Sequence, residues 1–104
     1  MHTVNRADFV PGAIVHISQF PFEERPESKS RFGLIIRRKG PDVTVRGIYT
    51  HPRPGYAPIP SNRGTRLDHD SYLGNRLVNI RVHKISHACG EAAFDYDPFG
   101  DFAA

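Results

Sequence analysis

Lys29, Arg31 and Thr50 are the residues of this 104-residue chain whose types and spacing fit a definite chemistry. Lys29 and Arg31 stand two apart at the entry to a strand-like run, so their heads share one side, opposite Phe32, Leu34 and Ile36. Thr50 ends the next such run, and pairing of the two runs would bring its hydroxyl toward the cations. A fixed guanidinium beside a hydroxyl suits phosphodiester transfer, because negative charge accumulates on the phosphoryl oxygens in the transition state. His51 is the one neighbour with an ordinary titration range suited to general base work, provided the chain turns there, since adjacent strand residues face opposite ways. On the residues alone, the competing reading is that Lys29 and Arg31 are solvated edge charges that discourage strand pairing.

A second group, Arg53, Tyr56, Arg63 and Arg66, combines cations with an aromatic, the pairing by which single-stranded RNA is neutralised and stacked. It reads equally as a Pro-rich surface loop with incidental charge. Asp68 and Asp70 could share a strand face, but two loop acids usually only solubilise a turn. The spacing His83-x3-His87-x-Cys89 is the nearest approach to a metal motif, and an extended chain separates those side chains, so no metal or cofactor is expected. No phosphate-cradling P-loop and no Ser-His-Asp elbow is present.

The elements that must position these residues are strands. Nine Gly and nine Pro in so short a chain work against long helices. Pro11-Gly12 opens Ala13 to Phe20, with Val15 and Ile17 on one face and His16 and Ser18 on the other. Arg31 to Arg38 follows, then a turn at Lys39-Gly40-Pro41-Asp42. Val43 to Thr50 alternates through Val45 and then puts Ile48 out of phase, which predicts a bulge at Gly47. Arg76 to Ile85 reads as one half-buried strand with Val78, Ile80 and Val82 inward. Two connections are long: Pro21 to Ser30, and His51 to Asn75, where Asp68 to Leu73 has room for a helical turn or a fifth strand. Short antiparallel strands around a small core predict a mainly β domain, an SH3-like or OB-like barrel with at most one or two short helices.

The net charge of +3 divides unevenly. Residues 1–90 carry all 14 bases, 11 of them Arg, and seven acids, for +7, whereas residues 91–104 carry four acids and no base. An Arg-rich body suits bidentate contact with phosphates or carboxylates, and a solvated charged surface is the plain alternative. One cysteine excludes an internal disulfide, and no stretch approaches the roughly 20 apolar residues of a membrane helix, so a cytoplasmic protein without a membrane partner is expected. A single domain of this size has no room for a Rossmann or TIM architecture.

Five motifs occur in order: Val10-Pro11-Gly12-Ala13-Ile14-Val15, Phe20-Pro21-Phe22, Ser28-Lys29-Ser30-Arg31, Leu34-Ile35-Ile36, and Val43 to Thr50. In order and spacing they resemble the MazF/PemK toxins over residues 10–50, with Phe32 and Gly33 standing where that family usually has Pro and Ala. The resemblance implies an SH3-like barrel, assigned to residues 1–90; the acidic, aromatic tail at 91–104 is read from its own composition. The resemblance also implies a metal-independent, sequence-specific endoribonuclease of single-stranded RNA, leaving a 2′,3′-cyclic phosphate and a 5′-hydroxyl. It further implies a homodimer restrained by a cognate antitoxin. The family's catalytic arginine falls on Arg31 and its catalytic Ser/Thr on Thr50, with Lys29 in the motif's basic position as a phosphate contact. His51, Arg53, Tyr56, Arg63 and Arg66 then extend the RNA-binding surface. The alternative on the same barrel is a non-catalytic module that binds RNA or protein. The tail from Phe94 to Phe102 reads as a disordered solubilising end, or else as a segment folding back on the basic groove as an RNA mimic.

Overall fold

In a computed structural model of the chain, residues 9–21 and 28–102 are described. Phe22 of the Phe-Pro-Phe motif and the acids Glu23, Glu24 and Glu27 lie outside the described residues, as do the side chains of Pro21, Ser28 and Lys29. Seven strands form one antiparallel sheet: β1 (Ala13–Pro21), β2 (Ser28–Lys39), β3 (Asp42–Tyr49), β4 (Ala57–Ile59), β5 (Ser71–Leu73), β6 (Val78–Arg81) and β7 (Ile85–Glu91). The order is β4-β5-β3-β2-β1-β7, with β6 on the first half of β3. A 3-10 turn at Val82–Lys84 carries the chain from β6 to β7, so it joins the two edges of the sheet and curls it into a barrel-like body. The expected mainly β fold is the one the chain adopts.

Local chemistry accounts for the first three strands. Val10-Pro11-Gly12-Ala13 is a tight turn closed by the Ala13 amide on the Val10 carbonyl at 3.0 Å, and Gly12 takes the φ of 92° that a side chain would resist. Gly40, at φ 60°, serves the β2-β3 turn in the same way. The predicted bulge does not fall at Gly47, which pairs regularly with Gly33; it falls at Ile36, between the pairs Ile35↔Val45 and Arg37↔Thr44. Ile48 needs no phase shift, because the central strands are buried on both faces. Val15, Ile17, Ile35, Val43, Val45, Ile80, Val82 and Ile85 fill the interior with Phe9 and Phe20. Ile14, Leu34, Ile36 and Ile48 form a second cluster on the outer face, with Ile59 and Leu73 from β4 and β5. Each such side chain, fully buried, contributes about 1.5–3 kcal/mol, which explains why β2 tolerates three large aliphatics in succession.

Two further expectations are corrected. The run Arg76 to Ile85 is not one strand: it breaks after Arg81, where the Val82 amide donates to the Pro41 carbonyl at 2.8 Å, and a separate strand continues to Glu91. The tail is not a disordered end. Its amide at Ala92 donates to the Gly12 carbonyl at 2.9 Å, and Ala92, Tyr96, Phe99 and Phe102 pack against the outer cluster. Asp101 grips Arg46 with two oxygens at 2.7 and 2.9 Å, the Phe99 ring lies under the same guanidinium at 4.2 Å, and the Tyr96 hydroxyl donates to the Pro58 carbonyl. Asp101 therefore serves the protein's own outer face, and Asp97 accepts from the Phe102 amide at 3.2 Å. Asp68 to Leu73 resolves into strand β5, and β4 occupies part of the Pro-rich connection. No helix among the described residues is long and apolar enough to cross a membrane.

Candidate active site

Arg31 lies near the start of β2, opposite Ile17 of β1, where the strand reaches the mouth of the barrel. Its Nη1 donates to the Ile48 carbonyl at 3.2 Å, and its guanidinium stacks 4.4 Å from the centre of the Tyr49 ring. The ring in turn fits over backbone that carries no side chain. A Cβ at Gly47 would meet the Tyr49 hydroxyl at 2.8 Å and Phe20 at 3.0 Å, and one at Gly74 would meet the Tyr49 ring at 2.8 Å. Gly47, expected as a bulge, is thus the seat of an aromatic platform. Nothing in the type or spacing of Tyr49 marks it in the sequence, although it sits one residue from Thr50 and two from a glycine.

The chain turns after β3. Arg53-Pro54-Gly55-Tyr56 is a tight turn, with the Tyr56 amide on the Arg53 carbonyl at 3.0 Å and Gly55 at φ 84°. It returns the Tyr56 ring to 5.1 Å from that of Tyr49, tilted 41° to it. Burial lowers the Arg31 guanidinium below its ordinary value; Tyr49 and Tyr56 oppose this, and Arg53 adds to it through like-charge repulsion. Burial raises the Tyr49 hydroxyl, with Tyr56 adding to the shift and the Arg31 charge opposing it. At neutral pH the site is therefore a cation on the neutral Tyr49 phenol, with Arg53 near enough to repel it.

Thr50 and His51 meet at the same end of β3. Because the strand stops at Tyr49, the two side chains do not diverge, and Thr50 Oγ1 lies 2.9 Å from His51 Nδ1, both exposed. A hydroxyl on an imidazole nitrogen can pass its proton and take another, the pairing used in nucleophile activation. Of the predicted residues, Arg31, Arg53 and Tyr56 gather around Tyr49, and Thr50 and His51 follow it in the chain. Lys29 holds its place in β2 opposite Phe20. Arg63 and Arg66 belong elsewhere: they flank the turn of residues 62–66, where the Gly64 carbonyl accepts from the Glu91 amide at 2.9 Å, and Arg66 itself has φ 56°. Asp70 caps the Ser61 amide at 2.7 Å, as a turn acid does. Among the described residues no group of three or more His, Cys, Asp or Glu could hold a metal ion.

Compared with known proteins, the chain matches no protein-family model and no curated protein.

Proposed function

We propose that the protein is a metal-independent endoribonuclease of the MazF/PemK kind, acting on single-stranded RNA at the mouth formed by Arg31, Thr50 and His51. The observation that carries this reading is the fixed guanidinium of Arg31, seated on Tyr49 and tied to the Ile48 carbonyl, two residues before the Thr50–His51 pair. The ordered motifs of residues 10–50 support it independently. In this scheme the ribose 2′-hydroxyl attacks the adjacent phosphorus and gives up its proton to the His51 imidazole, which Thr50 orients. The bond to the 5′-oxygen breaks as the 2′-oxygen bond forms, giving a 2′,3′-cyclic phosphate. Arg31 stabilises the charge that gathers on the phosphoryl oxygens and donates a proton to the leaving 5′-oxygen, and both residues are restored by exchange with water. A guanidinium lowered by burial is a better donor than a free one. Arg53 and Tyr56 supply backbone neutralisation and a stacking surface for the flanking nucleotide. The same reading gives the protein a cytoplasmic homodimer as its working form and a cognate antitoxin as its restraint.

Long RNA incubated with the protein and a chelator should yield discrete fragments with cyclic phosphate ends, and Arg31→Ala should lower the rate by about 10²–10³-fold. RNA that is bound in a steeply salt-dependent way but left intact would replace this reading by the non-catalytic RNA-binding module on the same barrel. RNA neither bound nor cut would dismiss both.

A further inference from the structure

Arg31 is held by the Ile48 carbonyl and the Tyr49 ring, which belong to the last two residues of β3. Past Gly47, which pairs with Gly33 of β2, these two residues pair with β5, as Ile48↔Leu73 and Tyr49↔Tyr72. Strands β4 and β5 are three residues each, and a two-stranded ribbon that short is marginal at best in water. Its position must come from what it packs on, and Ile59 and Leu73 place it on the outer cluster together with the segment of residues 92–102.

That segment fastens the ribbon at two places. On β4, the Tyr96 hydroxyl donates to the Pro58 carbonyl at 2.7 Å. Beyond the end of β5 the fastening runs through Arg46: Asp101 takes Nε at 2.7 Å and Nη2 at 2.9 Å, and Nη1 then points at the Gly74 carbonyl, 3.4 Å away. At 3.4 Å this last bond is a long one, so the bidentate carboxylate supplies the aim of the guanidinium. Gly74 is buried, its amide donates to the Gly47 carbonyl at 2.8 Å, and a Cβ on it would meet the Tyr49 ring at 2.8 Å. The Tyr49 ring thus lies on two glycines, one next to Arg46 in the chain and the other under its third nitrogen.

We propose that Arg46 and Asp101 are positioning residues for the Arg31 site: the clamp fixes Gly74, Gly74 with Gly47 fixes the Tyr49 ring, and the ring fixes the Arg31 guanidinium. The kinetic half of this rests on the ribonuclease reading above, whereas the path from Asp101 to the Tyr49 ring does not. Arg53, Thr50 and His51 stand outside this chain of contacts, so loosening the clamp leaves the attraction for RNA in place. What it disturbs is the aim of Arg31 at the phosphoryl oxygens of the transition state. Misplacing such a group by about 1 Å can cost about 10²-fold in rate, even when the change that causes it lies far from the chemistry.

Two readouts on the full chain test this, the ring resonances of ¹³C-labelled Tyr49 and the cleavage of single-stranded RNA. Asp101→Asn keeps the shape of the side chain and removes the charge that aims Arg46. It should shift the Tyr49 resonances and lower kcat about 10–100-fold, with KM changed less than about 3-fold. Tyr96→Phe unties the Pro58 carbonyl alone and should move the Tyr49 resonances by less. Val82→Ala lowers stability from the inner cluster, away from the clamp, and should leave both readouts as they are. Tyr49 resonances unmoved in folded Asp101→Asn, or in Tyr96→Phe where Asp101→Asn does not fold, would overturn the proposal. So would a loss confined to KM, or an equal loss of kcat in Val82→Ala. Should the unaltered chain leave RNA intact, the ribonuclease reading fails by itself, and the Tyr49 resonances still decide whether the clamp reaches the ring.

Discussion

Arg46 and Arg31 lie on neighbouring strands and carry the same charge, yet they are held in opposite ways. Arg46 and Asp101 are 7% and 12% exposed, the carboxylate takes both Nε and Nη2, and Phe99 closes the remaining face. Its charge is neutralised from a segment 55 residues away, so it reports on architecture. Arg31 is seated on an aromatic ring and a carbonyl, and Arg53 adds a second positive charge to its surroundings. Arg53 beside Arg31 concentrates positive charge at that end of β2, whereas the Asp101 carboxylate offsets the charge of Arg46. Arginine content alone therefore says little about polyanion binding; the company each arginine keeps decides it.

The largest effect should come from breaking the clamp. Asp101→Ala leaves a buried guanidinium uncompensated and should cost about 3–5 kcal/mol in chemical denaturation. Arg31→Ala should cost about 1 kcal/mol or less by the same measurement. Equal losses would erase the distinction between the two arginines. Next comes the seat of Arg31. Gly47→Ala puts a methyl where the Tyr49 ring lies and should cost about 1–3 kcal/mol while shifting the tyrosine fluorescence and, under the proposed function, slowing RNA cleavage. Retention of both signals would detach Tyr49 from Arg31. The smallest effect concerns the outer face at high pH. Burial pushes Tyr96 up to about 12, above the unfolded value near 10. The folded state thus holds this proton more tightly, so its contribution is full below about pH 10 and fades as pH rises toward 12. Tyr96→Phe should flatten stability across that window, and an unchanged alkaline profile would separate Tyr96 from the outer cluster.

Much of the body was legible in the chain because its signals are local. Val15/Ile17 and His16/Ser18 alternate as the strand requires, and Pro11-Gly12 and Gly40 mark their turns. What escaped depends on contacts distant in sequence. Ile48 looked out of phase only because one buried face was assumed, and the second is created by Leu73, Ile59 and the tail. Strand β7, built from Ser, His, Ala, Cys and Gly, carries no apolar alternation; it forms because β1 offers it an edge. Asp101 and Phe99 read as part of a solubilising end because their partner Arg46 lies more than fifty residues away. At the candidate site Arg31, Thr50 and His51 followed from residue type and order, while Tyr49 became visible only once the Gly47 and Gly74 backbones lay beneath its ring.

Closure of the outer face by residues 92–102 also sets an order in time. Synthesis runs from the N-terminus, so Ile14, Leu34, Ile36 and Ile48 emerge before Phe99, Asp101 and Phe102, and until these three arrive an aliphatic surface and the Arg46 charge stay uncovered. A nascent chain that has not yet reached residues 92–102 therefore carries a sticky, half-finished face, and the arrival of that segment shields it from neighbouring molecules.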